Sequence, residues 1–300
     1  MVALEHRPTR ELPDHLRVLY GRFPFERSIA QDPLSCVRPY RGDRKAAEIA
    51  GLFAATLAIG TTTSIRHSFE RFMQLGDGDP VALVDHATGT RVPAAMRRFR
   101  HRWIRGDQLY ALARTLNDLY TRYPSVEDLF LEGYRENGFA TGLDRMARGL
   151  RDGPAGRWAV RPGPRGYRAL FPSPLDRSHS PCKRLTLFVR WMVRTEFPDL
   201  GLWTQVLPLD LRVPLDLHVH WIAYHLGMTQ RRTRNWTTVE EVTSFLRGID
   251  PVDPVRFDFV LCHTGISGDC PKERDLAVCG PCVVRPDCLL WRDARPVVAA

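Results

Sequence analysis

The chain has 300 residues, 44% of them apolar, enough to bury a substantial core as one large domain or as two that share a groove. Its 43 basic residues outnumber the 34 acidic ones, and the net charge of +9 favours a polyanionic partner such as nucleic acid. The longest apolar run, Ile49 to Ile59, is too short to span a bilayer and MVALEHRPTRELPDH has no signal-peptide pattern, so the expectation is a soluble, cytoplasmic monomer.

Helix signals recur along the whole chain and strand alternation is scarce. Asp43 caps a predicted helix through KAAEIAGLFAATLAI to Gly60, and Thr62 or Thr63 opens the next through Leu75. Asp79-Pro80 is a cap followed by a first-turn proline. The segment RFRHRWIR, Arg98 to Arg105, interleaves arginines with Phe99, His101 and Trp103 and reads either as a DNA-groove element or as a solvated basic loop. Asp107 opens QLYALARTLNDLYTRY, and Ser125 with Asp128 forms a capping box before a helix to Asn137.

A Gly/Pro/Arg-rich stretch, Gly153 to Pro174, then reads as an ordered surface excursion anchored by Trp158, Tyr167 and Phe171. Ser180-Pro181 starts a helix through CKRLTLFVRWMVRTEF, and Asp216 starts a short one through LHVHWIAYHL to Gly227. Thr238 and Glu241 box a helix to Gly248, and Asp253-Pro254 begins a last long one reaching Gly265. Trp191 and Trp221 fall at core spacing. His218 and His220 lie on different faces of their helix and so cannot share a metal with His225 there. The predicted architecture is all-α.

Seven cysteines, an odd number with four clustered, fit a reducing compartment. Cys36, Cys182 and Cys262 read as free thiols. Cys270, Cys279, Cys282 and Cys288 occupy one loop, DCPKERDLAVCGPCVVRPDC, with eight, two and five intervening residues and with Gly280, Pro281 and Pro286 at the turns. Four thiolates from one contiguous segment suit a 4Fe–4S cluster. The alternative is structural zinc, which usually takes two separated C-x2-C knuckles, and only one is present.

Of the 43 basic residues 40 are arginine, leaving Lys45, Lys183 and Lys272. A lysine kept in such a background is a candidate for amine chemistry that a guanidinium cannot perform. Lys183 falls in the first turn of its helix, where the partial positive charge opposes protonation and favours a nucleophilic amine. Asp216 heads a helix, where its carboxylate is favoured and fixed in direction. Singly, Lys183 also reads as a solvated charge and Asp216 as a plain cap.

The order of a lysine at a helix start, an aspartate heading V-P-x-D-x-H-V-x-x-x-A-x-x-L-G, and a four-cysteine loop resembles the helix-hairpin-helix DNA glycosylases typified by endonuclease III. The resemblance covers about residues 40 to 290, and CKRLxLFxRWMVR is similar to an uncharacterised bacterial branch. The final C-x2-C-x5-C matches the family loop, while the first gap is eight residues where the family has six. The Leu-Pro-Gly-Val-Gly hairpin is absent, replaced by FPSPLDRSHSPCKRL. The 33 positions from Lys183 to Asp216 are similar to the archaeal 8-oxoguanine DNA glycosylases, which also lack that hairpin.

The resemblance implies two helical subdomains flanking a groove: an N-terminal arm (1–42) packing with the C-terminal part, a helical barrel (43–204) carrying Lys183, and a C-terminal domain (205–300) carrying Asp216 and the cluster loop 270–288. It implies a DNA glycosylase with AP lyase activity on double-stranded DNA, with an oxidised purine as the favoured base. Lys183 would attack C1′ of an extruded nucleotide and form a Schiff base, with Asp216 taking its proton or stabilising the charge developing on the sugar. The cluster would order the loop, which presents Lys272, Arg274 and Arg285 to phosphates. Arg231, Arg232 and Arg234 after the Asp216 helix, and Arg100 and Arg102, are further candidate phosphate contacts. A monofunctional glycosylase in which Asp216 activates water, and a catalytically silent iron–sulfur DNA-binding module, are the alternatives.

Overall fold

The structure is a computed structural model that describes residues 6–89, 91–153, 166–177 and 180–292. It is all-α. The helices that frame the site are α1 (Leu12–Gly21), α2 (Phe25–Ile29), α3 (Arg44–Leu57), α4 (Thr62–Met73), α5 (Pro80–Asp85), α6 (Ala94–Arg97), α7 (Gly106–Tyr120), α8 (Val126–Asp152), α9 (Lys183–Val193), α10 (Leu217–His225), α11 (Trp236–Ile249), α12 (Asp258–Ile266), α13 (Leu276–Cys279) and α14 (Leu289–Arg292). The described strands are two-residue pieces, β1 (Arg100–His101) and β2 (Ile104–Arg105), paired antiparallel.

Helix α3 is the central rod. It is buried from Ala46 to Leu57, as a helix apolar on every face must be, and Asp43 caps it through the Ala46 amide at 3.0 Å. Its one buried charge, Glu48, accepts from Trp203 Nε1 (2.7 Å), Tyr120 OH (3.0 Å) and the Val126 amide (2.9 Å). A single carboxylate thereby ties α3, α7, α8 and the connector at 194–216 together. Burial raises the Glu48 pKa despite those donors. Helix α9 lies along α3, where a Cβ on Gly51 would come within 2.8 Å of Met192 and 3.1 Å of Phe188.

Helix α8 breaks at Asn137 and at Gly138, whose φ of +74° favours glycine, and its two halves fold back on each other. A Cβ on Gly133 would lie 2.4 Å from the Thr141 carbonyl, and one on Gly142 would lie 2.8 Å from the Phe130 ring. Of the aromatic anchors expected after α8, Tyr167 and Phe171 are buried, while Trp158 lies outside the described residues.

Several predicted helix starts move. Helix α9 begins at Lys183, because Cys182 takes a left-handed φ of +52° and serves as the N-cap. Asn235, not Thr238, caps α11, accepting from the Thr238 amide at 3.0 Å. Asp253 opens no helix; it pairs with Arg194 (2.7 Å), and α12 starts five residues later. Arg105 caps α7, with Asp107 in its first turn. In RFRHRWIR the aromatic surface reading fails for Phe99 and His101, which are buried. His101 Nε2 donates toward the Leu57 and Ile59 carbonyls (2.9 and 3.0 Å), pinning the ribbon to the end of α3.

Candidate active site and cysteine centre

Lys183 and Asp216 meet. Helix α9 carries the chain away from Lys183 for eleven residues, roughly 16 Å. The connector returns beside it, with the Leu200 and Trp203 amides donating to the Trp191 and Met192 carbonyls (2.8 Å each). It delivers Asp216 as the N-cap of α10, where Oδ1 accepts from the Val219 amide at 2.8 Å. Lys183 Nζ then stands 3.8 Å from Asp216 Oδ2, the lysine 28% and the aspartate 13% exposed. The other lysines are elsewhere: Lys45 pairs with Asp85 at the opposite end of α3, and Lys272 is exposed in the cysteine loop.

The pair lies in a cavity of about 240 Å³. Its walls come from the N-terminal arm (Asp32, Pro33), the α3–α4 turn (Ala58, Gly60, Thr62, Ile65), α9 (Lys183, Leu187), the start of α10, and one face of α12 carrying Asp258, Phe259, Cys262, His263 and Ile266. Gly265 lets α12 approach α10, since a Cβ there would lie 2.6 Å from the His218 Cβ. Arg102 reaches the mouth. Its guanidinium nitrogen would lie 2.8 Å from a Cβ on Gly60.

Three features of this pocket gave no signal in the sequence. Cys262, read as a free thiol, donates to Asp216 Oδ2 at 3.4 Å. Burial pushes that thiol well above its ordinary pKa, the Asp216 charge adds and the Lys183 charge opposes, so it remains a protonated donor. Asp258 pairs with the fully buried Arg190, which also binds Asp199 at 3.2 Å. Burial pushes the Asp258 carboxyl up to about 6, with Arg190 opposing and Asp216 adding. Asp32 hydrogen-bonds His263 Nε2 at 2.8 Å; burial alone would raise its pKa, but the bond and charge of His263 hold it below the ordinary value.

The candidate phosphate contacts divide. Arg231 is engaged by Glu241 at 2.5 Å, Arg232 lies over the Tyr224 ring at 6.0 Å, and Arg234 is exposed. Arg100 bonds the Phe99 carbonyl at 2.7 Å and is exposed. Arg274 and Arg285 stand 5.9 and 5.0 Å from the Trp291 ring centroid. His218 lines the cavity, His220 bonds the Arg231 carbonyl at 2.9 Å, and His225 faces the cysteine loop, so the three histidines serve three places. Trp191 is fully buried. Trp221 is partly buried, packs against the core and also lines the cysteine cavity.

Cys270, Cys279, Cys282 and Cys288 line one small cavity between the end of α10 and the loop. Their charges sense one another: Cys270 is pushed up to about 12 by burial and by Cys288, Cys282 and Cys279. Among the described residues no group of three or more His, Cys, Asp or Glu side chains is placed to hold a metal ion. The N-terminal arm abuts this region, with His15 Nδ1 2.7 Å from Asp287 and the Arg7 carbonyl accepting from Arg292 at 2.7 Å. Among the described residues no helix is long and apolar enough to cross a membrane.

No curated protein and no solved structure matches the chain. A family model described as a protein of unknown function (DUF2400) matches residues 32–267. That span runs from Asp32 past Ile266 and so contains every residue of the Lys183–Asp216 cavity, whereas the cysteine loop lies beyond it. The chain belongs to the DUF2400 family, whose function is unknown.

Proposed function

We propose that this protein is a DNA glycosylase with AP lyase activity, excising a damaged or modified base through Lys183. The observation that carries the reading is the 3.8 Å approach of Lys183 Nζ to Asp216 Oδ2 at two helix starts inside one cavity. A surface ion pair would have little reason to be walled by so many separate segments of the chain. At about 240 Å³ the cavity is smaller than the roughly 300–1,000 Å³ of drug-sized sites and suits a single extruded nucleoside.

In this mechanism Lys183 Nζ attacks C1′, the C1′–N bond breaks, and its electron pair leaves with the base. Asp216 accepts the proton the amine loses, or faces the positive charge developing on the sugar. Its carboxylate is already oriented by the Val219 amide and the Cys262 thiol, so little reorganisation precedes the step. The nitrogen lone pair then expels O4′, the C1′–O4′ bond breaks as O4′ takes the proton held by Asp216, and the protonated imine so formed permits strand cleavage by β-elimination. The groove between two helical subdomains holds duplex DNA, with Arg102, Arg100, Arg232 and Arg234 among the exposed cations. An oxidised purine is the favoured base on the sequence resemblance.

Cys270, Cys279, Cys282 and Cys288 would hold a 4Fe–4S cluster, which would order the loop and supply one-electron redox chemistry. The donor set supports this group, since four thiols of one loop line one cavity. Base release from duplexes carrying single defined lesions, under single-turnover conditions, tests the proposal. Release from at least one lesion that is abolished by Lys183→Gln supports it. Release unchanged in Lys183→Gln assigns the chemistry to water activated by Asp216, and no release from any lesion by protein that binds DNA tightly defeats the enzymatic reading.

A further inference from the structure

We propose that the centre held by the four cysteines is ringed by N–H donors from Trp221, His225 and Trp291, which donate N–H···S hydrogen bonds to it and raise its reduction potential. The inference rests on the four-cysteine reading above. Trp221 Nε1, both ring nitrogens of His225 and Trp291 Nε1 are buried, and among the described residues none has a hydrogen-bond partner. All three rings line the same cavity as the cysteines. Buried donors in folded proteins are nearly always paired, so three unpaired ones at a single spot mark the place of an acceptor that side chains do not supply. Asp269 is the one carboxylate lining that cavity, and it is exposed and takes the Ser267 hydroxyl at 2.6 Å.

The donors come from two helices. Trp221 and His225 are four residues apart on α10, so they share a face, and their rings lie 3.9 Å apart. Trp291 comes from α14, with Arg285 and Arg274 near its ring. A 4Fe–4S cluster offers four sulfides besides four thiolates, so acceptors outnumber donors; zinc offers thiolates alone. Each N–H···S bond withdraws negative charge from sulfur and stabilises the more negative, reduced state, which raises the potential. The same helix begins at Asp216, so one short element joins the cysteine cavity to the candidate catalytic carboxylate.

The test uses the full chain purified anaerobically from iron-replete cells, with iron and sulfide measured before any variant is made. Absence of both overturns the cluster reading, and this proposal falls with it. With a cluster present, protein carrying 15N-labelled tryptophan and histidine is expected to show nitrogen and exchangeable-proton couplings in electron–nuclear double resonance. Trp221→Phe, Trp291→Phe and His225→Phe are each expected to keep the iron content and shift the potential to more negative values. An intact cluster with no such couplings, and an unchanged potential in all three variants, overturns the proposal. Loss of iron in His225→Phe with a strong directly bound nitrogen coupling in the wild type makes His225 a ligand, which overturns its assignment as a donor.

Discussion

Both carboxylate oxygens of Asp216 are engaged before any ligand arrives, Oδ1 by the Val219 amide and Oδ2 by the Cys262 thiol with Lys183 nearby. Asparagine is as good a helix cap as aspartate, so Asp216→Asn should leave the melting midpoint nearly unchanged while removing the charge. Base release is expected to fall by about 10²–10⁴, the range of general acid–base effects, with DNA affinity retained; single-turnover rates and binding isotherms check both halves. Cys262→Ser keeps a donor toward Asp216 and should release base faster than Cys262→Ala. Asp258 carries a pH signature. Its carboxyl keeps a proton up to about 6 in the folded chain against 3.8 as its ordinary value, so the native state binds more protons in that window. Its contribution to stability is therefore full below about pH 4 and is lost as pH rises through about 6. Urea midpoints of wild type and Asp258→Asn should diverge in that sense between about pH 4 and 6 and run parallel above about 7. Lys183 and Asp216 were legible in the sequence because each starts a helix and lysine is scarce. Cys262, Asp258 and His263 were not, being single polar residues in an apolar segment that acquire a role only when α12 docks.

Helix α12 docks through Gly265, which has no room for a methyl group against His218. Gly265→Ala should force α10 and α12 apart, costing about 1–3 kcal/mol as overpacking does, and should slow base release because Cys262 leaves Asp216. Thermal melting and single-turnover kinetics read the two effects separately. The elements themselves were largely legible: Asp43, Asp79, Ser125 and Asp216 cap where sequence places them, since a cap is local chemistry. The starts at Ser180, Thr238 and Asp253 were not. Cys182 adopts a left-handed turn, Asn235 is the closer cap, and Asp253 is taken by Arg194, a partner 59 positions away that no local pattern displays. Arg231 shows the same limit, being engaged by Glu241. If duplex DNA binds through exposed arginines, the log–log salt slope should become shallower by roughly 0.9 for each phosphate that a variant no longer neutralises. Arg232→Ala with Arg234→Ala should show this, and Arg231→Ala should show less.

At the scale of the molecule, the cavity is assembled from segments spread between Asp32 and Ile266, the span of the DUF2400 match, and the cysteine loop is added after it. Spacing alone grouped the four thiols, which line one cavity, but their neighbours Trp221, His225 and Trp291 come from two helices and gave no shared signal. The ties of Glu48 to Trp203 and of Arg190 to Asp199 and Asp258 are buried, and removing one partner of the latter should cost about 3–5 kcal/mol. In the proposed reaction Lys183 is the nucleophile, and covalent trapping shows whether it is. Enzyme, a duplex bearing a lesion from which base is released, and borohydride are mixed, and the adduct is digested and its peptides mapped. A stable protein–DNA adduct attached at Lys183 and absent in Lys183→Gln is expected; attachment at Lys45 or Lys272, or base release with no adduct at all, rules Lys183 out as the nucleophile.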